Sequence, residues 1–333
     1  MCGIVGYVGY DEAAGKIIEG LKKLEYRGYD SSGIAILSDK GIELNKCKGE
    51  IKNLENMIAG RVPSGTCGIG HTRWATHGAP SDVNSHPHMD QSGRVALVHN
   101  GIVENYVELK EALINEYGIK FKSETDSEVI AQLVGVKYNA NGGDLEKAVY
   151  DATKEMRGTY AIGVIAEDTP NKIVAYRKEA PLIAGLGKKS NFIASDIPAL
   201  LKYTNDIFLI ENDEMVICTP DSITIKDKDG KEVKREAMKI TWSVEDAEKG
   251  GYEHFMLKEI NEQPKVVAET LNRRIDEDGK IKLDGINLTK EELDKYNKIY
   301  IVACGTAYHA GLVGKYVIEK MAGIAVEVDV ASE

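Results

Sequence analysis

The chain has 333 residues and a formal charge of −11, from 42 basic and 53 acidic side chains. At roughly 150 residues per domain there is room for about two domains. A hydrophobic content of 43% with 29% charged residues excludes a disordered tail, a collagen and a coiled coil, and the acid excess argues against nucleic acid as the main partner.

Residues 4–8 are an apolar run bounded by Gly3, Gly6 and Gly9, which predicts a buried strand. Residues 12–24 follow with Ala14, Ile17, Ile18, Leu21 and Leu24 on one helical face. Strands are predicted at 33–37, 67–71 and 95–99. A helix over 105–117 has Asn105 as N-cap and Gly118 as its stop, and a helix over 125–138 opens on the capping-box pair Thr125 and Glu128. Four further strands at 159–166, 172–176, 191–194 and 215–218 favour stacked sheets. With helices in runs rather than in βαβ alternation, the fold class is α+β.

Composition then shifts. Residues 227–239 are a charged turn and hairpin edge, 245–251 read as a linker, and 252–275 predict a helix interrupted or reset at Pro264. From Thr289, whose TKEE starts a capping-box helix, a strand at 298–303, a Gly-Thr turn, a helix at 307–321 and a strand at 325–330 follow. This is βαβ grammar that stops after two strands, too few to cover both faces of a parallel sheet. No stretch reaches the roughly 20 apolar residues of a membrane span, and the first residues lack a signal peptide, so a soluble cytoplasmic protein is expected.

Five cysteines, Cys2, Cys47, Cys67, Cys218 and Cys304, are scattered and form no CxxC pair, so neither a disulfide framework nor a zinc finger is suggested. Cys2 stands apart. Removal of Met1 would leave it with a free α-amine of pKa about 7.7–8.0, a base beside its own thiol, tethered by the strand behind it. Residues 71–78 follow a strand and carry Arg73, able to clamp a carboxylate beside Thr76 and His77, with Trp74 able to cover a ligand. Five of the seven histidines fall between His71 and His99, yet no HExxH spacing occurs and only Asp82 and Asp90 lie nearby, so a metal is not expected. Asn100 and Gly101 offer an amide and a closely approachable N–H for an oxyanion hole, or else a hairpin turn. Asp126 suits a substrate ammonium, or else stabilises a helix N-terminus. Together these fit a ligand with an α-carboxylate, an α-amine and a hydrolysable acyl end. Glutamine is the obvious one, cleaved through a thioester.

The motifs Cys2-Gly-Ile-Val-Gly, Tyr26-Arg-Gly-Tyr-Asp-Ser-Ser-Gly33, residues 71–78, His99-Asn-Gly101 and Glu124-Thr-Asp126 resemble the glutaminase domain of class II, N-terminal-nucleophile amidotransferases. Residues 248–264 and 303–311 are similar to the glutamine:fructose-6-phosphate aminotransferase family, and the likeness runs in order along essentially the whole chain. The resemblance implies a four-layer αββα sandwich over 2–218, a hairpin, linker and connecting helix over 219–284, and the incomplete start of an α/β sugar isomerase (SIS) domain over 285–333. It implies Cys2 as nucleophile, Asn100 and Gly101 as oxyanion hole, and Arg73, Thr76, His77 and Asp126 as glutamine holders. Trp74 would be a channel gate and Thr306 a sugar-phosphate contact. L-glutamine and fructose 6-phosphate are the implied substrates, with no cofactor and a homodimeric full-length enzyme. Ala307 stands where the family often has Ser, and the chain ends at Glu333, before the family's second isomerase lobe. The expectation is therefore a fragment with glutaminase activity alone. Another acceptor, such as phosphoribosyl pyrophosphate, or a catalytically silent sugar-phosphate sensor are the alternatives.

Overall fold

The computed structural model describes residues 2–75, 78–241, 252, 254–272, 274–275, 278–281 and 288–331. They divide into two units, Met1–Gly250 and Gly251–Glu333. The first holds two antiparallel sheets. An eight-stranded sheet contains β1 (Gly3–Gly9), β2 (Ser31–Ser38), β3 (Gly41–Lys48), β4 (Cys67–Arg73), β9 (Ile183–Leu186), β10 (Ser190–Ala194), β11 (Asp206–Leu209) and β14 (Met238–Lys239), in the order β14-β11-β9-β10-β1-β4-β2-β3. The six-stranded sheet contains β5 (His88–Met89), β6 (Val95–Val103), β7 (Gly158–Ala166), β8 (Ile173–Lys178), β12 (Glu214–Cys218) and β13 (Ile223–Lys226), in the order β13-β12-β8-β7-β6-β5.

Period-two alternation decides where each strand's side chains go. In β1, Ile4 and Val8 join an inter-sheet core with Ala96 and Val98 of β6. Val5 and Tyr7 face the other way, into a second core with α1 (Ala13–Leu24) and α2 (Ile51–Ile58). Val95 and Leu97 of β6 likewise turn to a third core shared with α3 (Tyr106–Tyr117), α4 (Asp126–Ala140) and α5 (Leu145–Glu155). Three cores between four layers make the αββα sandwich, and each fully buried aliphatic side chain contributes about 1.5–3 kcal/mol. Strands buried on both faces therefore read as continuous apolar runs.

Local signals met different fates. Gly118 stops α3 in the left-handed region at φ 64°, its N–H donating to Ile114 O. Asn105, expected to cap α3, instead donates from Nδ2 to Glu155 O and accepts Arg157 N–H at Oδ1, tying the end of α5 to the start of β7. Thr125 does cap α4, but Glu128 reaches back past it to the N–H groups of Lys122 and Ser123. Two helices, α2 and α5, and the strands β3, β5, β9, β11 and β13 are not among the elements that the sequence predicts.

In the second unit, α6 (Phe255–Asn272) runs through Pro264 without interruption, contrary to expectation, so Pro264 costs the helix one internal hydrogen bond rather than its continuity. Thr289 and Glu292 form a reciprocal capping box at α7 (Lys290–Leu293). Strands β15 (Lys298–Ala303) and β16 (Ala325–Val330) pair in parallel, joined by α8 (Gly305–Ala322). That helix begins at Gly305, so the expected Gly-Thr turn is its first turn. The predicted linker at 245–251 lies outside the described residues.

Candidate active site

Cys2, Arg73, Trp74, Asn100, Gly101 and Asp126 line one cavity of about 480 Å³, within the size range of small-molecule sites. They come from both sheets and one helix. Cys2 immediately precedes β1, which is flanked by β10 and β4 in the middle of its sheet, so it sits on a fixed platform. Arg73 ends the neighbouring strand β4 and is buried, with one guanidinium N–H donating to Gly78 O at 3.0 Å.

The Cys2 sulfur lies against the backbone of Trp74, accepting its N–H at 3.2 Å and facing its carbonyl oxygen at 3.4 Å. Burial pushes the thiol above its ordinary pKa, more than the Trp74 N–H brings it down. A thiolate is therefore scarce at neutral pH, and attack by this sulfur needs a base. The segment after β4 is clamped by the Tyr26–Gly33 motif: the Asp30 carboxylate accepts the Ala75 N–H, Asp30 N–H donates to Arg73 O at 3.1 Å, and Gly28 O accepts from the Thr72 hydroxyl. Nothing in the residue chemistry of that motif had assigned it this support. Trp74, half exposed, meets Tyr29 edge-on with ring centroids 5.6 Å apart. Thr76 and His77 lie outside the described residues.

Asn100 and Gly101 are inside β6, paired with Ala161 and Tyr160 of β7, so the hairpin-turn alternative does not apply. Asn100 Nδ2 donates to Cys2 O at 3.2 Å. Gly101 has φ 118°, and a Cβ there would lie 2.0 Å from Thr159 O. Gly101→Ala is accordingly expected to lower the stability of the first unit by about 3 kcal/mol, from strain and collision with the β7 backbone. Urea unfolding at pH 8 measures this, and a midpoint equal to the parent's contradicts it. Asp126 opens α4 facing the cavity, and its Oδ2 accepts the Val103 N–H of β6 at 3.0 Å. It thus stabilises a helix start and presents a carboxylate to the cavity at once.

His86 and His99 also line the cavity, His71 and His88 do not, and all four are buried. His71 stacks on His86 with centroids 4.0 Å apart, and His88 meets His86 edge-on at 4.8 Å. Burial holds His71 at a pKa of about 3, and His86 and His88 well below the usual imidazole value. Among the described residues no group of three or more His, Cys, Asp or Glu side chains could hold a metal ion. Thr306 lies exposed in the first turn of α8, in the second unit.

The model of the glutamine amidotransferase domain matches residues 71–202, and that of the SIS domain matches residues 292–333. A glutamine–fructose-6-phosphate aminotransferase (isomerizing) of Clostridium tetani is 58% identical over 333 residues, covering 100% of this chain and 54% of the relative. The enzymes of the same name from Clostridium perfringens and Thermus thermophilus are 57% and 48% identical, again over 100% of this chain and 54% of theirs. The chain thus spans about half the length of the curated relatives it matches. Among solved structures, one titled as the allosteric regulatory enzyme of purine biosynthesis has TM-score 0.59 at 26% identity, covering 68% of this chain and 49% of that one. Glutamine phosphoribosylpyrophosphate amidotransferase from B. subtilis has TM-score 0.61 at 19% identity, covering 98% and 65%, a likeness of fold. No described helix is long and apolar enough to cross a membrane.

Proposed function

We propose, from the premise that this chain belongs to the glutamine:fructose-6-phosphate aminotransferase family, that it hydrolyses L-glutamine to L-glutamate and ammonia through a thioester on Cys2. The observation that carries the reading is the convergence of Cys2, Arg73, Asn100, Gly101 and Asp126 on one cavity. Arg73 takes the α-carboxylate of glutamine and Asp126 its α-ammonium, which leaves the side-chain amide at the sulfur. Thr76 and His77 belong with Arg73 in this reading.

Attack by Sγ on the amide carbon sends the thiol proton to the α-amine of Cys2, free once Met1 is removed. The oxygen that becomes negative accepts hydrogen bonds from Asn100 Nδ2 and Gly101 N–H. Collapse breaks the C–N bond, the ammonium of Cys2 protonates the departing nitrogen, and ammonia leaves. Water then attacks the thioester, the amine takes its proton, and glutamate departs with the sulfur restored.

In the relatives' full-length reaction, the ammonia would convert fructose 6-phosphate to glucosamine 6-phosphate, the first step of hexosamine synthesis. Trp74 is proposed as the channel gate, and Thr306 with the amides opening α8 as phosphate contacts. The SIS match at 292–333 favours a sugar phosphate over phosphoribosyl pyrophosphate as acceptor. A glutaminase domain over 2–218, a connecting region over 219–284, an SIS start over 285–333, a cytoplasmic site of action and a homodimeric full-length enzyme complete the reading. The test is incubation of this chain with L-glutamine, quenched during turnover. Glutamate should accumulate, with a γ-glutamyl adduct on the Cys2 peptide by mass spectrometry; glutamate release with the adduct on another residue overturns the reading.

A further inference from the structure

We infer that His71 is a positioning residue that fixes the Asn100 carboxamide in the orientation able to donate to the developing oxyanion; this rests on the glutaminase reading above. His71 Nε2 lies 3.0 Å from Asn100 Oδ1 and 3.0 Å from His99 O. A backbone carbonyl only accepts, so Nε2 must carry the proton and donate to both. The Asn100 atom facing it must then be the oxygen. At the other end of the amide, Nδ2 faces a second backbone carbonyl, Cys2 O, at 3.2 Å. Two carbonyls that cannot donate thus determine the amide from both sides, and a flipped Asn100 would lose both contacts.

The contact also crosses the molecule's main seam. His71 sits on β4 of the eight-stranded sheet, opposite Ile4 of β1, two residues from Cys2, whereas Asn100 sits on β6 of the six-stranded sheet. Nucleophile and oxyanion donor therefore ride on different sheets, and the His71 to Asn100 hydrogen bond ties one to the other. Imidazole Nδ1 of His71 is buried without a hydrogen-bond partner, with the ring stacked on His86. No acceptor awaits a proton there, so the ring is held neutral with Nε2 as its only donor. Neither residue composition nor spacing signalled this role, because His71 reads as a strand residue facing a core.

Four chains test it: wild type, His71→Leu, Asn100→Ala and the double variant, with His71→Gln as the variant whose amide can replace the Nε2 donor. His71→Leu should lower kcat for glutamate release by about 10²-fold with KM changed by less than about threefold, and His71→Gln should recover at least about tenfold of it. In the Asn100→Ala background, His71→Leu should change kcat by less than about threefold, since its target is gone. A folded His71→Leu chain with parental kcat, or losses that multiply in the double variant, overturns the inference. Imidazole nitrogen NMR of the unsubstituted chain gives a readout independent of turnover. A neutral Nε2–H tautomer for His71 supports the inference, and an Nδ1–H tautomer overturns it whether or not any variant folds. Absence of glutamate release by wild type would overturn the glutaminase reading separately, while the tautomer still decides the placement of His71.

Discussion

Cys2→Ala is expected to lower glutamate release by about 10⁴-fold or more while leaving glutamine binding within a few-fold of the parent's. The sulfur makes its described contacts only with the Trp74 backbone, so its removal should cost the fold less than about 1 kcal/mol. Loss of turnover in the variant is then loss of the nucleophile. A second chain separates thiol from base: an uncleavable extension before Cys2 keeps the sulfur but turns the α-amine into an amide. Because burial holds the thiol above its ordinary pKa, the sulfur cannot make up the missing base as a standing thiolate, and the extended chain should be as inactive as Cys2→Ala. Glutamate assay, calorimetric titration with glutamine and amino-terminal sequencing together check both. Parental turnover in either chain would refute the assignment of Cys2 and its amine.

The first unit is expected to lose its fold as pH falls from 7 towards roughly 5. His71, His86 and His88 have native pKa values below the value of about 6.5 that they regain on unfolding. Above pH 6.5 neither state binds these protons, and the stability they allow is fully present. Below it the unfolded chain takes up three protons that the native state refuses, so stability falls as pH falls. Each histidine contributes a slope of about 1.4 kcal/mol per pH unit and the three about 4, against a typical domain stability of about 5–15 kcal/mol. Urea midpoints between pH 8 and pH 5 measure the slope. His86→Phe keeps a ring in the stack and removes two ring nitrogens that have no hydrogen-bond partner. It should flatten the slope by about a third with little loss at pH 8. A midpoint independent of pH over this range would contradict the prediction.

Much of the sandwich could be read from the chain because its inner strands are apolar on both faces. The runs around Ile4, Val98 and Val164 announce themselves without knowledge of their partners. By contrast β3, with Glu43, Asn45 and Lys46 along a sheet edge, is defined by its pairing with β2 rather than by any pattern of its own. The helix α5 was legible all the same, with Asp144 accepting the Lys147 N–H and Leu145, Ala148, Val149 and Ala152 recurring at i, i+3, i+4 and i+7 on one face. In the site, Cys2, Arg73, Asn100, Gly101 and Asp126 were legible by chemical type, and the structure gathers all five at one cavity. The supporting partners were not. Asp30 acts through a backbone N–H 45 residues away, and His71 through an amide on the opposite sheet. Such roles depend on tertiary distance, to which spacing along the chain is blind.

The placement of Asn100 and Gly101 within β6 also bears on how the protein ages. In a mobile turn, the nitrogen of a glycine following asparagine readily attacks the asparagine side-chain carbonyl, closes a succinimide and leaves aspartate or isoaspartate. Here the pair lies in a strand laddered to β7, with the side-chain oxygen held by His71 and the nitrogen turned to Cys2 O, so the attacking geometry is withheld. Deamidation to aspartate at this position would replace the proposed oxyanion donor with a carboxylate, and isoaspartate would in addition lengthen the β6 backbone by one carbon. The strand pairing that places the proposed oxyanion donor therefore also protects its amide for as long as β6 and β7 stay paired.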